Sequence, residues 1–223
     1  MWNELEGYIA LHPQFAESLS PLASPPGENS VGLCGSDSLA VNRMLRAAAT
    51  AGVGPMAAVA GTFAQLAAEV GRQAGDKEII VENGGDIYMY LERPLIMALW
   101  VGPDSPFKNL AFSIQAQHSP LAVCSSSSRL GHSLSLGECD LFTVFSKDAS
   151  LADAAATAYC NRVKQFTDLQ PAVEEIVQIP GIEGAAAVKD DKIAIAGKTP
   201  ALVRHADVEL SRKITRHSRS TEA

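Results

Sequence analysis

The chain has 223 residues, 47% hydrophobic and 19% charged, with a formal net charge of −7. A chain of this size buries roughly 70–75% of its unfolded surface, so it needs no disulfide or metal staple. The negative balance argues against a nucleic-acid-binding surface, which carries a basic stripe, and no uninterrupted apolar stretch is long enough to span a bilayer.

A short helical pattern (Leu5, Tyr8, Ile9) opens the chain and breaks at Pro21, Pro25, Pro26 and Gly27. The acidic start (Glu4, Glu6) does not resemble a secretion signal and points to a cytoplasmic protein. Ser36 or Asp37 is expected to cap the next helix, whose apolar stripe is Leu39, Val41, Met44 and Leu45. Gly52-Val53-Gly54 breaks it, and Pro55 suits the first turn of another helix, over 56–73, alanine-rich and buried between layers.

From Lys77 the period changes. Strands are predicted over 78–81, 87–91, 95–100, 110–114, 121–124 and 140–145. A helix over 151–163 follows, then a second helical stretch near 173–177. Two last strands, 184–188 and 192–195, are joined by Asp190-Asp191. The layout is α+β, a largely antiparallel sheet packed with helices. It divides into an N-terminal helix and Pro/Gly/Ser-rich linker (1–34), one domain (35–200) and a charged tail (201–223). The scattered Cys34, Cys124, Cys139 and Cys160 read as reduced, mostly buried residues.

Four segments carry the residue types of a site. Asn83-Gly84-Gly85-Asp86 is a hairpin signal, and two glycines also let backbone N–H groups approach a phosphate. Asp153 and Thr157 are four apart on one helix face among alanines. The pair supplies hard oxygen ligands for Mg²⁺ or Ca²⁺, although Ser150 with Asp153 also reads as a capping box. Ser125 to Ser133, with Ser126, Ser127, Arg129 and His132, reads as an anion site or a polar loop. Gly52 to Gly61, with Gly54 and Ala57, is a glycine loop feeding a helix N-terminus, either an anion site or a tightly packed helix start.

Four phrases in this order resemble an uncharacterised prokaryotic family of ApbE-like proteins: Gly-Val-Gly-Pro-Met-Ala-Ala-Val-Ala-Gly (52–61), Ile-Val-Glu-Asn-Gly-Gly-Asp-Ile (80–87), Gly-His-Ser-Leu-Ser (131–135) and Ala-Asp-Ala-Ala-Ala-Thr-Ala (152–158). The resemblance runs from about Gly35 to Ile195. That family is distantly similar to the ApbE enzymes, which bind FAD and Mg²⁺ and transfer FMN to a protein threonine or serine, or hydrolyse FAD to FMN and AMP. Their Asn-x-Gly-Gly-Asp turn is similar to Asn83-Gly84-Gly85-Asp86 with one residue fewer. Their metal-holding Ala-Asp-Ala-x-x-Thr helix start matches Asp153 and Thr157 position for position. Where ApbE has a lysine this chain has Ala60, and an acidic position corresponds roughly to Gln65.

The resemblance implies a phosphate-bearing ligand, nucleotide or flavin-like (FAD or FMN), held by Gly54, Ala57, Asn83, Gly84, Gly85, Asp86, Ser126 and Ser127. Asp153 and Thr157 would hold Mg²⁺, and His132 would act as acid/base or phosphate donor. Phosphoryl or flavin transfer, or hydrolysis, is the implied chemistry. The loss of a cation and a carboxylate keeps two alternatives open, a non-catalytic ligand-binding module and a homodimeric scaffold.

Overall fold

The computed structural model describes residues 2–22, 38–102, 104–129 and 137–205. Two short N-terminal helices, α1 (Trp2–Leu11) and α2 (Gln14–Glu17), are followed by α3 (Leu39–Ala51). A 3₁₀ turn over Pro55–Ala58 leads into α4 (Val59–Gln73). The sequence expectation of one helix from Met56 is therefore corrected. Its first turn is tighter, with Thr62 donating to the carbonyl of Ala58. Then come β1 (Ile79–Asn83), β2 (Asp86–Tyr90), β3 (Leu95–Ala98), β4 (Leu110–Ile114), β5 (Leu121–Ser126) and β6 (Leu141–Ser146). Two helices, α5 (Ala149–Arg162) and α6 (Leu169–Ile176), precede β7 (Ile182–Lys189), β8 (Lys192–Gly197) and β9 (Ala201–Arg204).

Six strands form one sheet in the order β1-β2-β5-β6-β7-β8, and β3-β4-β9 form a second. Every pairing is antiparallel, as the alternation from Lys77 predicted. Period-two alternation assigns the two faces of the large sheet. Ala122, Cys124, Phe142, Val144, Ala185 and Ala187 pack with residues of α4, α5 and α6. Leu121, Val123, Leu141, Phe145 and Val188 pack with Phe112 and Ile114 of the small sheet. There Phe112 meets Phe145 edge-on, with ring centroids 4.8 Å apart, and burying each ring contributes about 1.5–3 kcal/mol. Among the described residues no single helix is long and apolar enough to cross a membrane. The bent pair α3 and Pro55–Gln73 passes such a test jointly, but many of its residues are buried in the protein.

Three further expectations are corrected. The tail placed at 201–223 gives up its first four residues to β9, which pairs with β4. Four residues flanked by charge carry little local signal; a partner some ninety positions upstream makes them a strand. The capping box of Ser150 and Asp153 does not form. The N-cap is Asp148, whose side chain accepts the Leu151 N–H at 3.1 Å, while Ser150 is wholly buried with its hydroxyl 2.7 Å from that of Thr62. The N-cap of α3 is Ser38 rather than Ser36 or Asp37, and Cys34 lies outside the described residues. Cys124, Cys139 and Cys160 are buried.

Candidate functional site

The β1–β2 hairpin closes on Gly84 (φ 66°) and Gly85 (φ 102°), with Asn83 paired to Asp86. Both central residues are left-handed, which a two-residue turn matching the strand twist demands. The Gly85 N–H donates to Glu82 Oε1 at 2.8 Å, so that amide is consumed within the turn. Asn83 Nδ2 donates to the Ala60 carbonyl at 3.2 Å and ties the hairpin to the start of α4.

Asp86 opens β2 on the same face as Tyr88, the one turned to the helices, and is only 5% exposed. Its Oδ1 accepts the Ser125 N–H at 3.1 Å, and the Cys124 thiol is a second partner. Burial pushes this carboxyl up to about 7, and the charge of Glu82 adds to the rise; the Ser125 amide and Cys124 thiol pull the other way.

Asp153 projects from the second turn of α5. Its Oδ2 accepts the Gly61 N–H at 2.9 Å, and the Ala60 amide adds a second bond. A Cβ at Gly61 would overlap the Ala149 carbonyl and lie 2.9 Å from Asp153 Cβ, so glycine is what lets α4 and α5 approach this closely. Burial raises the Asp153 carboxyl well above the ordinary range, and the charge of Asp86 raises it further, against the lowering by the Gly61 and Ala60 amides. Cys124 bonds Asp86 and feels the charge of both carboxyls. Burial and then the charges of Asp86 and Asp153 push its thiol up, and its Sγ contacts the Ala149 carbonyl at 3.5 Å. Thr157, half-buried, is one turn further along the same face of α5.

Asn83 and Asp153 thus meet at Ala60 and Gly61, and the charge of Asp86 bears on Asp153. The other expected site residues are accounted for differently. A Cβ at Gly54 would overlap the Ser18 carbonyl, so this glycine serves packing against the N-terminal segment. Ala57 sits in the 3₁₀ turn and donates its N–H to the Gly54 carbonyl at 3.1 Å. Ser126 ends β5 opposite Phe142. The Ser127 hydroxyl donates to the Asp140 carbonyl at 2.7 Å and accepts the Arg129 N–H at 3.1 Å, which stitches the strand end. His132 lies outside the described residues. Sequence reasoning missed Cys124, which reads as a small core residue, and Gly61, whose role depends on a helix ninety residues away.

The amides at the α4 start, expected as donors to a ligand, are therefore engaged by Asp153. What the pair of carboxyls lacks is positive charge: among the described residues no Lys, Arg or His side chain forms an ion pair with either. Two buried acids whose charges bear on each other, and a hydroxyl one turn on from Asp153, are the hard-oxygen groups that suit a small divalent cation keeping several waters. A cluster of three or more His, Cys, Asp or Glu ligands does not occur among the described residues.

A helix layer on a six-stranded antiparallel sheet, with a carboxylate hairpin meeting an Asp-bearing helix, defines an ApbE-like α+β protein. Residues 1–178 match the family described as "AbpE bacteria", and the chain belongs to that family. It is 42% identical over 215 residues to a UPF0280 protein of Methanocella arvoryzae, covering 96% of this chain and 82% of the relative. It is 41% identical over 204 residues to a UPF0280 protein of Archaeoglobus fulgidus, covering 90% and 80%. Among solved structures the ApbE protein of Thermotoga maritima is similar with a TM-score of 0.50 and 15% identity; the match covers 66% of this chain and 51% of that longer one. That likeness is one of fold.

Proposed function

We propose that this protein binds a phosphate-bearing ligand of nucleotide or flavin type at the Asp86–Asp153 face, with Mg²⁺ held by Asp153 and Thr157, and that it transfers FMN poorly or not at all. The observation that carries the reading is a pair of buried carboxyls with no ion-paired cation among the described residues, which a divalent ion would neutralise. Bound there, the ion supplies positive charge to phosphate oxygens. Asp153, bonded to the α4 amides, would hold the ion, Asp86 would add a second negative charge, and Asn83 fixes the hairpin against Ala60.

The doubt about turnover rests on the same face. Ala60 brings no cation, and Gln65 is a neutral amide already bonded to the protein at both ends. A phosphoryl group in transfer spreads charge over its equatorial oxygens and needs such cations around it. His132, if it is an acid/base or phosphate donor, would have to serve without them. The test is incubation with FAD and Mg²⁺, with AMP release followed by chromatography and co-purified small molecules identified by mass spectrometry. Retained nucleotide or flavin with negligible AMP supports the reading. Rapid AMP release overturns the catalytic doubt, and absence of any bound phosphate compound or ion overturns the whole proposal.

A further inference from the structure

Three polar side chains behind the carboxyl pair form a continuous bridge across three helices. Arg43 on α3 grips Glu69 on α4 with both arms of its guanidinium, at 3.0 and 2.9 Å. Glu69 Oε1 also accepts Gln65 Nε2 at 2.9 Å, one turn back on α4. Gln65 Oε1 in turn accepts the Ala149 N–H at 2.8 Å. Ala149 is the first residue of α5, and its amide is one of the helix-start donors that no turn of the helix itself can satisfy. Gln65 is 8% exposed and Ala149 is fully buried, so water does not replace the bond.

The bridge requires an amide at 65. That side chain must accept from Ala149 and donate to Glu69 at once, which a carboxylate cannot do beside another carboxylate. The position that an ApbE-type site gives to an acid is therefore occupied here by a group whose two ends are both committed to helix placement. One turn along α5 from Ala149, Asp153 meets the Gly61 amide, and the Thr62 and Ser150 hydroxyls are hydrogen-bonded between them.

We infer that Arg43, Glu69 and Gln65 are positioning residues that set the cation affinity of the Asp153 site by fixing the start of α5 against α4. The inference rests on the ion-binding reading above. An α5 start released from Gln65 would let the Asp153 carboxylate shift against Gly61 and the neighbouring Asp86, so the ion would meet a looser ligand set.

The experiment pairs Mn²⁺ titration by electron paramagnetic resonance with amide hydrogen exchange at Ala149 and Gly61 and with thermal melting, on wild type, Gln65→Leu, Glu69→Gln and the double variant Gln65→Glu/Glu69→Gln. The double variant exchanges donor and acceptor between 65 and 69; it keeps the bond to Ala149 and the 65–69 bond, and retains one of the two Arg43 bonds. Expected is roughly tenfold weaker Mn²⁺ binding in each single variant, the size typical of losing an outer partner of a metal ligand, and near wild-type binding in the double variant. Exchange at Ala149 and Gly61 should quicken in Gln65→Leu and recover in the double variant. Single variants that melt earlier yet bind Mn²⁺ as wild type does would overturn the inference and leave a purely structural bridge, as would a double variant that fails to recover. If wild type binds no Mn²⁺, the ion reading fails and this inference with it, while unchanged exchange at Gly61 in Gln65→Leu removes the positioning claim on its own.

Discussion

On the face turned to the small sheet, the central strands present Leu121, Val123, Leu141, Phe145 and Val188, and the partner strands answer with Phe112 and Ile114. On the face turned to the helices, the same strands present Ala122, Cys124, Ala185 and Ala187 beside Phe142 and Val144, and α5 answers with Ala152, Ala155 and Ala156. Large side chains hold the two sheets apart and fill the gap. Alanine and glycine instead let helix and sheet close up until backbone amides reach side-chain oxygens, as Gly61 reaches Asp153 and Ala149 reaches Gln65. Hence the buried acids Asp86 and Asp153 and the hydroxyls of Thr62 and Ser150 collect on the helix side. A face packed with large apolar groups has no room for a site, and a face packed with small ones can be polar inside.

If the faces are independent, the largest loss of stability should come from the side without chemistry. Phe112→Ala should cost about 3–5 kcal/mol in denaturant unfolding yet leave Mn²⁺ affinity of the folded protein unchanged. Coupled losses would break the distinction. Gly61→Ala should cost about 1–3 kcal/mol, because a single methyl collides with the Ala149 carbonyl and the Asp153 stem. Unlike the Phe112 change, it should also weaken binding at the proposed ion site.

Asp86 gives the comparison a pH axis. Its carboxyl rises from 3.8 to about 7 on folding, so the folded chain holds the proton more tightly. The associated stability is fully present below about pH 4 and is lost as pH rises through about 7. Asp86→Asn removes that loss: in metal-free buffer it should be roughly 1–3 kcal/mol more stable than wild type at about pH 8, with little or no gain at about pH 4. Asp153, raised in the same direction, keeps part of the wild-type slope. Smallest is Arg162→Gln, which removes an exposed pair with Glu175 far from both faces' centres. Its cost should stay below about 1 kcal/mol and shrink further in salt.

Much of the fold was legible because the signals were local. Alternation from Lys77 announced strands, and the alanine stripes announced buried helices. The glycine pair announced the hairpin, although the turn is centred on Gly84-Gly85 rather than on the Asn-Gly step. β9 was not legible, since Ala201–Arg204 is a strand only by courtesy of β4. In the site, Asp153 and Thr157 stood out through their spacing on one helix face. That Asp86 would face the same helices, and that Cys124 would bond Asp86 and feel both charges, depended on the register of β2 against β5, which no single segment records. The capping box failed for a related reason: Asp148 lay one residue outside the helix and took the cap, while tertiary contacts claimed Ser150 and Asp153.

The most direct test is calorimetric titration of Mg²⁺ into metal-free wild type, Asp153→Asn and Asp86→Asn at neutral pH. On the proposed reading the two buried carboxyls should bind one ion per chain in wild type, with affinity falling roughly tenfold or more in each variant while melting temperatures show the variants folded. Wild type that takes up no ion, or variants that bind as tightly as wild type, would contradict the account.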